Sequence, residues 1–240
     1  REEGHALNML SPHALDLASL LGSIVLFTMY NVFIWWKLKS NPIYTIQGAP
    51  NLARIAWVAS VMEEKNDILA IQTLRNSTMA ATFLASTAII LSVGVLSLTG
   101  QAENVGNTWH TLNIFGSTER STLALKLLVI LINLFIAFFS FSSSIRLYNH
   151  VGFMINTPCT DGNYSSSFTF VAMQLNRAAS HFHFGMRAFY FLIPLIFWIF
   201  GPILLILSTI AIILVVYYID KNPRLYSDYM TPFGINTCKL

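Results

Sequence analysis

Charged residues are scarce in this chain of 240 residues, in which 14 are Lys or Arg and 11 are Asp or Glu. Together they make up 10% of the sequence, whereas soluble domains carry about 25%. This deficit, beside a hydrophobic fraction of 55%, excludes an ordinary soluble domain and predicts an integral membrane protein. The formal net charge of +3 is too small and too scattered to indicate a nucleic-acid partner.

Cysteine is also scarce. The two cysteines, Cys159 and Cys238, lie far apart in polar segments. This arrangement excludes the paired cysteine spacing of a zinc site, and we expect no structural disulfide if the two cysteines lie on opposite sides of the membrane.

Motifs of catalysis are missing as well. The sequence has no Walker loop, no dinucleotide-binding glycine pattern, no nucleophile elbow and no HExxH. We also expect no acidic residue deep within a membrane span, because Asp16 is predicted to precede the first span and Asp220 to follow the last. Coupled transporters usually need an intramembrane acid. The sequence therefore argues against a coupled pump, and it predicts a protein without enzymatic activity, catalytic residue or cofactor.

Four apolar blocks are long enough to cross a bilayer, which takes about 20 residues. The last of them is too long for one straight span, and we expect bends at Pro194 and at the Gly201-Pro202 pair. The predicted fold class is all-α, an integral membrane four-helix bundle that forms a single domain over residues 1–240. The four predicted spans are about 17–38, 76–98, 121–147 and 186–219.

A shorter helix is predicted between the first two spans, over residues 52–65, with Asn51 as its N-cap. Ile55, Val58 and Met62 recur at helical spacing, which indicates an amphipathic helix lying at the membrane interface. An ordinary amphipathic helix packed on protein explains the pattern equally well. The remaining segments are predicted as polar loops over 100–120 and 149–183 and a polar tail over 220–240.

The distribution of Lys and Arg predicts the orientation in the cell (inner) membrane. Eight of the 14 fall on the side that holds segments 38–75 and 148–186, and six fall on the other. Because positive charge favours the cytoplasm, we expect both termini outside.

Basic residues gather at the ends of three predicted spans. Arg75 begins the second span, Arg146 ends the third and Arg187 lies at the start of the fourth, so all three are expected at one membrane face. Guanidinium forks bind phosphate and carboxylate, which predicts a site for an anionic lipid or a small anion. The alternative is positive-inside charge paired with nearby Glu and Asp. The other residues of the predicted site are Arg177, His150, His181 and His183.

His181 and His183 also suggest a metal or haem ligand pair. On a helix, however, residues two positions apart point about 200° away from each other. No third ligand is fixed by spacing, so we predict no metal site.

Small residues recur every four positions at Ser77, Ala81 and Ala85. Such a face lets helices approach closely in lipid, so the second span is predicted to be the packed centre of the bundle.

Two segments resemble a known family. The run RIAWVASVMEEKNDILAIQTLRNSTMAATFLASTAI resembles the signature of an uncharacterised membrane family of bacteria and plants, the domain of unknown function five-nine-nine, and GMRAFYFLIPLIFWIFGP is similar to its second block. The resemblance implies a small multi-pass membrane protein and no known activity. The residues that carry the second block are Gly185, Arg187, Tyr190, Pro194, Trp198, Gly201 and Pro202.

Three functions are compatible with these patterns. The first is a non-catalytic accessory or structural subunit of a larger membrane protein complex, with protein partners and the lipid bilayer around it. The second is a binder or carrier of an anionic lipid or small anionic metabolite at the basic face. The third is a membrane redox or metal protein that uses His150, His181 and His183.

Overall fold

Helices account for all the regular secondary structure in the part of the chain that the computed structural model describes, residues 12–40, 48–64, 67–100, 120–157 and 164–220. The all-α prediction is confirmed for these residues. The helices are α1 (Pro12–Ser40), α2 (Gly48–Glu64), α3 (Asp67–Gly100), α4 (Arg120–Met154), α5 (Tyr164–Phe200) and α6 (Pro202–Asp220).

Five of these helices, all except α2, are long and apolar enough to cross a membrane. This confirms a multi-pass membrane protein. The predicted count of four spans is not confirmed, because the last apolar block contains the end of one such helix and all but the last residue of another. An odd number of spans would place residues 12 and 220 on opposite sides of the membrane. If all five helices cross, the prediction that both termini lie outside therefore does not follow from this fold.

Gly201 separates α5 from α6. Its φ is 152°, a backbone conformation open to glycine but strained for other residues. Pro202 then occupies the first position of α6, where its missing N–H is tolerated. Pro194, the other expected bend, lies inside α5 without ending it.

We predict that Gly201→Ala lowers the free energy of unfolding by about 1–3 kcal/mol, because alanine has to adopt this strained backbone. Chemical unfolding in detergent micelles, followed by circular dichroism, measures the change. Gly22→Ala in α1 is the control, since a Cβ there meets no atom within 4 Å and should stabilise the helix. Equal effects of the two substitutions would contradict the prediction.

The chain divides into two compact units, and each of the five long helices contributes residues to both. Along α5 the chain passes from unit 2 into unit 1, and along α6 it passes from unit 1 back into unit 2. The described residues of unit 1 are 12–30, 84–100, 120–140 and 184–214, and those of unit 2 are 31–40, 48–64, 67–83, 141–157, 164–183 and 215–220.

The core of unit 1 forms around Trp198, whose side chain is fully buried together with Leu134, Leu195 and Leu205. A hydrogen bond between helices supports this packing, because Asn133 Nδ2 of α4 donates to the carbonyl oxygen of Ala188 in α5 over 2.9 Å. Such bonds hold helices together where lipid provides no hydrophobic driving force between them.

The core of unit 2 includes the apolar face of α2. Val58, Val61 and Met62 are buried there against residues of α3, α4 and α5. The predicted position of this helix at the membrane interface is not confirmed, and the structure shows its apolar face packed on protein. Asn51 is not an N-cap, because α2 already begins at Gly48 and places Asn51 in its first turn.

The polar loop predicted over 149–183 is wrong for most of its length. Helix α4 continues to Met154, and α5 begins at Tyr164. Residues of this segment such as Val171, Leu175 and Ala178 recur at helical spacing and are buried in unit 2. Such a helix has no continuous apolar run in the sequence, because its other face is polar.

Two other predicted polar segments lie almost entirely outside the described part of the chain. They are the loop over 100–120, of which residues 100 and 120 are described, and the tail over 220–240, of which residue 220 is described. Both cysteines also lie outside the described residues.

Candidate functional site

An ion pair is buried in unit 1. Lys126 Nζ of α4 lies 3.1 Å from Asp16 Oδ1 of α1, and each side chain is only 3% exposed. Trp198 of α5 donates its indole N–H to the same Asp16 oxygen over 3.1 Å. Lys126 Nζ also lies 5.5 Å from the centroid of the Trp198 ring, within the range of a cation–π interaction. One carboxylate, one ammonium and one indole thus connect three helices.

The placement of Asp16 corrects the sequence prediction. Asp16 does not precede the first span but lies within α1, inside a candidate span that begins at Ala14. Asp220 likewise belongs to α6 and is buried. Both acids lie at the ends of their candidate spans, Asp16 as the third residue and Asp220 as the last, so the expectation of no acid deep within a span is not contradicted by these two residues. The spacing of Asp16, Ser19 and Ser23, all buried on one face of α1, is the signal that could have revealed this.

A cavity of about 540 Å³ lies in unit 1 among α3, α4 and α5. Every residue that lines it is apolar, and exposed Leu91 and Leu98 are among them. Gly94 forms part of the wall on α3, where an added Cβ would meet no atom within 4 Å. The full lining is Leu91, Gly94, Val95, Leu98, Leu123, Leu127, Ile130, Leu134, Leu192, Ile196, Ile199 and Phe200.

Unit 2 contains a polar cluster that the sequence did not reveal. Arg54 of α2 is half-buried, and its Nη1 donates to Asn51 Oδ1 over 2.7 Å and to Asn176 Oδ1 of α5 over 3.3 Å. Asn176 Nδ2 donates to the carbonyl oxygen of Asn51 over 3.2 Å. Burial lowers the pKa of Arg54, and Tyr148 of α4 partly offsets this. The sequence pattern predicted an anion site at the ends of the spans, whereas Arg54 lies on α2, which is not a candidate span.

The residues of the predicted anion site are distributed over both units. Arg187 belongs to unit 1, whereas Arg75, Arg146, Arg177 and the three histidines belong to unit 2. The structure therefore does not place Arg75, Arg146 and Arg187 in one unit. The exposed members are Arg75, Arg146, Arg177 and His150, and the half-buried ones are His181, His183 and Arg187.

The structure also locates the candidate metal ligands. Among the described residues, no group of three or more His, Cys, Asp or Glu is arranged to hold a metal ion. His181 and His183 lie on helix α5.

The predicted small-residue face lies on α3. Ala81 and Ala85 are buried and Ser77 is half-buried, so this face lies against protein over most of its length.

Comparison with known proteins identifies the family. The model of the family DUF599, described as a protein of unknown function, matches residues 18–224. The chain belongs to the DUF599 family. No curated protein and no solved structure matches it.

The DUF599 match extends over most of the six helices. It includes Arg54, Lys126 and Trp198 and begins two residues after Asp16. The resemblance of the two sequence blocks to this family is therefore confirmed. Since DUF599 has no assigned activity, a function for the chain has to be argued from its own cavity and polar clusters.

Proposed function

We propose that this DUF599 protein binds one hydrocarbon chain of a membrane lipid in the cavity of unit 1. The observation that carries the proposal is a cavity of about 540 Å³ with an exclusively apolar lining. Ligand pockets commonly measure about 300–1,000 Å³. A polar ligand group would find no partner among these side chains, and burying such a group unpaired is costly. The lining thus favours hydrocarbon.

The length of the cavity supports a single chain from one leaflet. On α4 its lining runs from Leu123 to Leu134. Eleven residues of helix rise about 16 Å, roughly half of the ~30 Å hydrocarbon thickness of a bilayer. Because a cavity of about 150 Å³ accommodates benzene, the volume here has room for about twenty carbon atoms.

The polar end of such a lipid is expected near the helix ends that border the cavity. Leu98 lies two residues before the end of α3, Leu123 lies in the first turn of α4, and Phe200 ends α5. Helix ends with free backbone groups are suited to polar surroundings. The occupant is thus a lipid whose tail enters the protein while its head group stays at the membrane boundary.

The three hypotheses drawn from the sequence differ in their support. The cavity favours a lipid binder, although not at the basic face that the sequence indicated. The accessory subunit stays a prediction, which native gels after gentle extraction would test by the presence of another protein. The metal or redox protein stays a prediction without support among the described residues, and metal analysis would test it.

We predict that Gly94→Phe abolishes lipid retention. The ring has room to enter the cavity, because a Cβ at Gly94 meets no atom within 4 Å. Native mass spectrometry of protein extracted in mild detergent should show a lipid on the wild type and none on Gly94→Phe. Gly22→Phe is the matched control, since Gly22 is equally open but lies on α1 outside the lining.

Two outcomes would overturn the proposal. One is a wild-type protein that carries no lipid, and the other is a Gly94→Phe protein that retains as much as Gly22→Phe. Circular dichroism checks that both variants remain helical, as expected when glycine is replaced within a helix.

A further inference from the structure

We propose that Arg54, with Asn51, Tyr148 and Asn176 around it, forms a binding site in unit 2 for a phosphate-type oxyanion. The site uses residues of α2, α4 and α5 that take no part in the unit 1 cavity. It thus goes beyond the proposed lipid-tail site, and the failure of either proposal leaves the other intact.

The hydrogen bonds of Arg54 carry the inference. Both of its bonds start at Nη1 and end on amide oxygens, those of Asn51 and Asn176. A guanidinium has five N–H donors in a planar fork, so Nη2 and Nε have no acceptor among the described residues. These remaining N–H groups can donate to the oxygens of an anion. The structure therefore offers a cation whose neutral partners hold it in place without neutralising it.

The acidic residues of α2 and α3 do not supply the missing charge. Glu63, Glu64 and Asp67 belong to the same unit, but within the described part of the chain the hydrogen bonds of Arg54 reach amide oxygens and no carboxylate. Glu64 instead accepts a hydrogen bond from Ser60 Oγ over 3.2 Å. The pairing with local acids that could explain the other basic residues does not apply to Arg54.

The surroundings of Arg54 suit phosphate. Its fork matches two oxygens of a phosphate group, and arginine stays protonated even where burial lowers its pKa. Asn51 lies in the first turn of α2, where free backbone N–H groups and the helix dipole favour an anion. Tyr148, close enough to interact electrostatically with Arg54, adds a hydroxyl from α4. Four residues from three helices thus converge on one place.

The phosphate could come from solution or from a lipid head group, and the experiment distinguishes them. The melting temperature of the full chain is measured in detergent with inorganic phosphate against chloride of equal ionic strength. It is then measured in phosphatidylcholine nanodiscs with and without phosphatidic acid. A rise with inorganic phosphate assigns free phosphate, and a rise with phosphatidic acid alone assigns the lipid. No rise in either arm would overturn the proposal.

Single substitutions test whether the rise in melting temperature depends on Arg54. Arg54→Gln should weaken the anion's apparent affinity by about 10- to 100-fold, the equivalent of losing a hydrogen bond to a charged group. Lys37→Gln is the control, because Lys37 is a cation of the same unit that belongs neither to the Arg54 site nor to the basic site predicted from the sequence. An unchanged response in Arg54→Gln would refute the site.

Asn51→Asp provides a second measurement that does not require loss of Arg54. The Oδ1 of residue 51 is already 2.7 Å from Arg54 Nη1, so the new carboxylate would neutralise the guanidinium. We expect a higher melting temperature without phosphate and a loss of the phosphate response. A variant that responds like the wild type would contradict an anion site at Arg54.

Discussion

Replacing Lys126 with methionine is expected to lower the free energy of unfolding by about 3–5 kcal/mol, the usual cost of removing one partner of a buried ion pair. The substitution leaves the Asp16 carboxylate buried without its ammonium partner. The indole N–H of Trp198, which donates to the same oxygen, does not neutralise that charge. In a candidate membrane span the remaining charge has little access to water, so the loss should be large.

The double variant Asp16→Asn/Lys126→Met separates the cost of an unpaired charge from the loss of packing. Asparagine keeps an Oδ1 that accepts from Trp198, and methionine fills much of the lysine volume. We expect the double variant to be nearly as stable as the wild type, since neutral replacements of buried ion pairs are often tolerated. Each substitution would thus destabilise alone and stabilise in the presence of the other.

Chemical unfolding in mixed micelles, followed by circular dichroism, measures these free energies. Arg146→Met is the matched control, because Arg146 is an exposed cation on the same helix and its removal should change stability by less than about 0.5 kcal/mol. Additive losses in the double variant would show that the pair does not couple α1 to α4.

Replacing Trp198 with alanine is the second large effect, with an expected loss of about 3–5 kcal/mol. Among the described residues, Trp198 is the largest fully buried side chain, and it packs in the core of unit 1. Alanine removes that volume together with the N–H donated to Asp16. The loss should exceed that for Trp36→Ala, because Trp36 is 61% exposed.

Trp198→Phe isolates the hydrogen bond from the packing. Phenylalanine keeps a ring for Lys126 and most of the apolar volume, so the remaining loss reflects the bond to a charged oxygen, about 1.5–3 kcal/mol. Circular dichroism is the suitable signal, because the chain has five tryptophans and each removal changes its fluorescence. A Trp198→Ala protein as stable as Trp36→Ala would contradict the central role of Trp198.

The ion pair and the cavity share two helices of unit 1. Lys126 is followed by Leu127 and Trp198 by Ile199, and both following residues line the cavity. The contacts that hold Lys126 and Trp198 in place therefore also position part of the cavity wall. Stability and lipid retention should be measured on the same variants, so that a loss of binding is compared with a loss of fold.

Local sequence patterns were sufficient to predict much of the fold. The apolar span predicted over residues 76–98 lies within the long helix α3, which the structure shows to begin nine residues earlier, at Asp67. The scarcity of charge predicts the membrane class, and two sequence blocks identify the family. Apolar runs did not predict the helix over residues 164–183, because this part of α5 is amphipathic and has no continuous apolar run.

The sequence by itself determined the class, most of the helical elements and the family, because these depend on composition and on neighbours within a few turns. Only the tertiary structure decided that Asp16 lies inside a helix and is paired, and that Arg54 is held by amides. Asp16 contacts Lys126 and also Trp198, which lies 182 residues away in the sequence, and Asn176 lies 122 residues from Arg54. Whether a charge can be buried depends on such distant partners, which no local pattern contains.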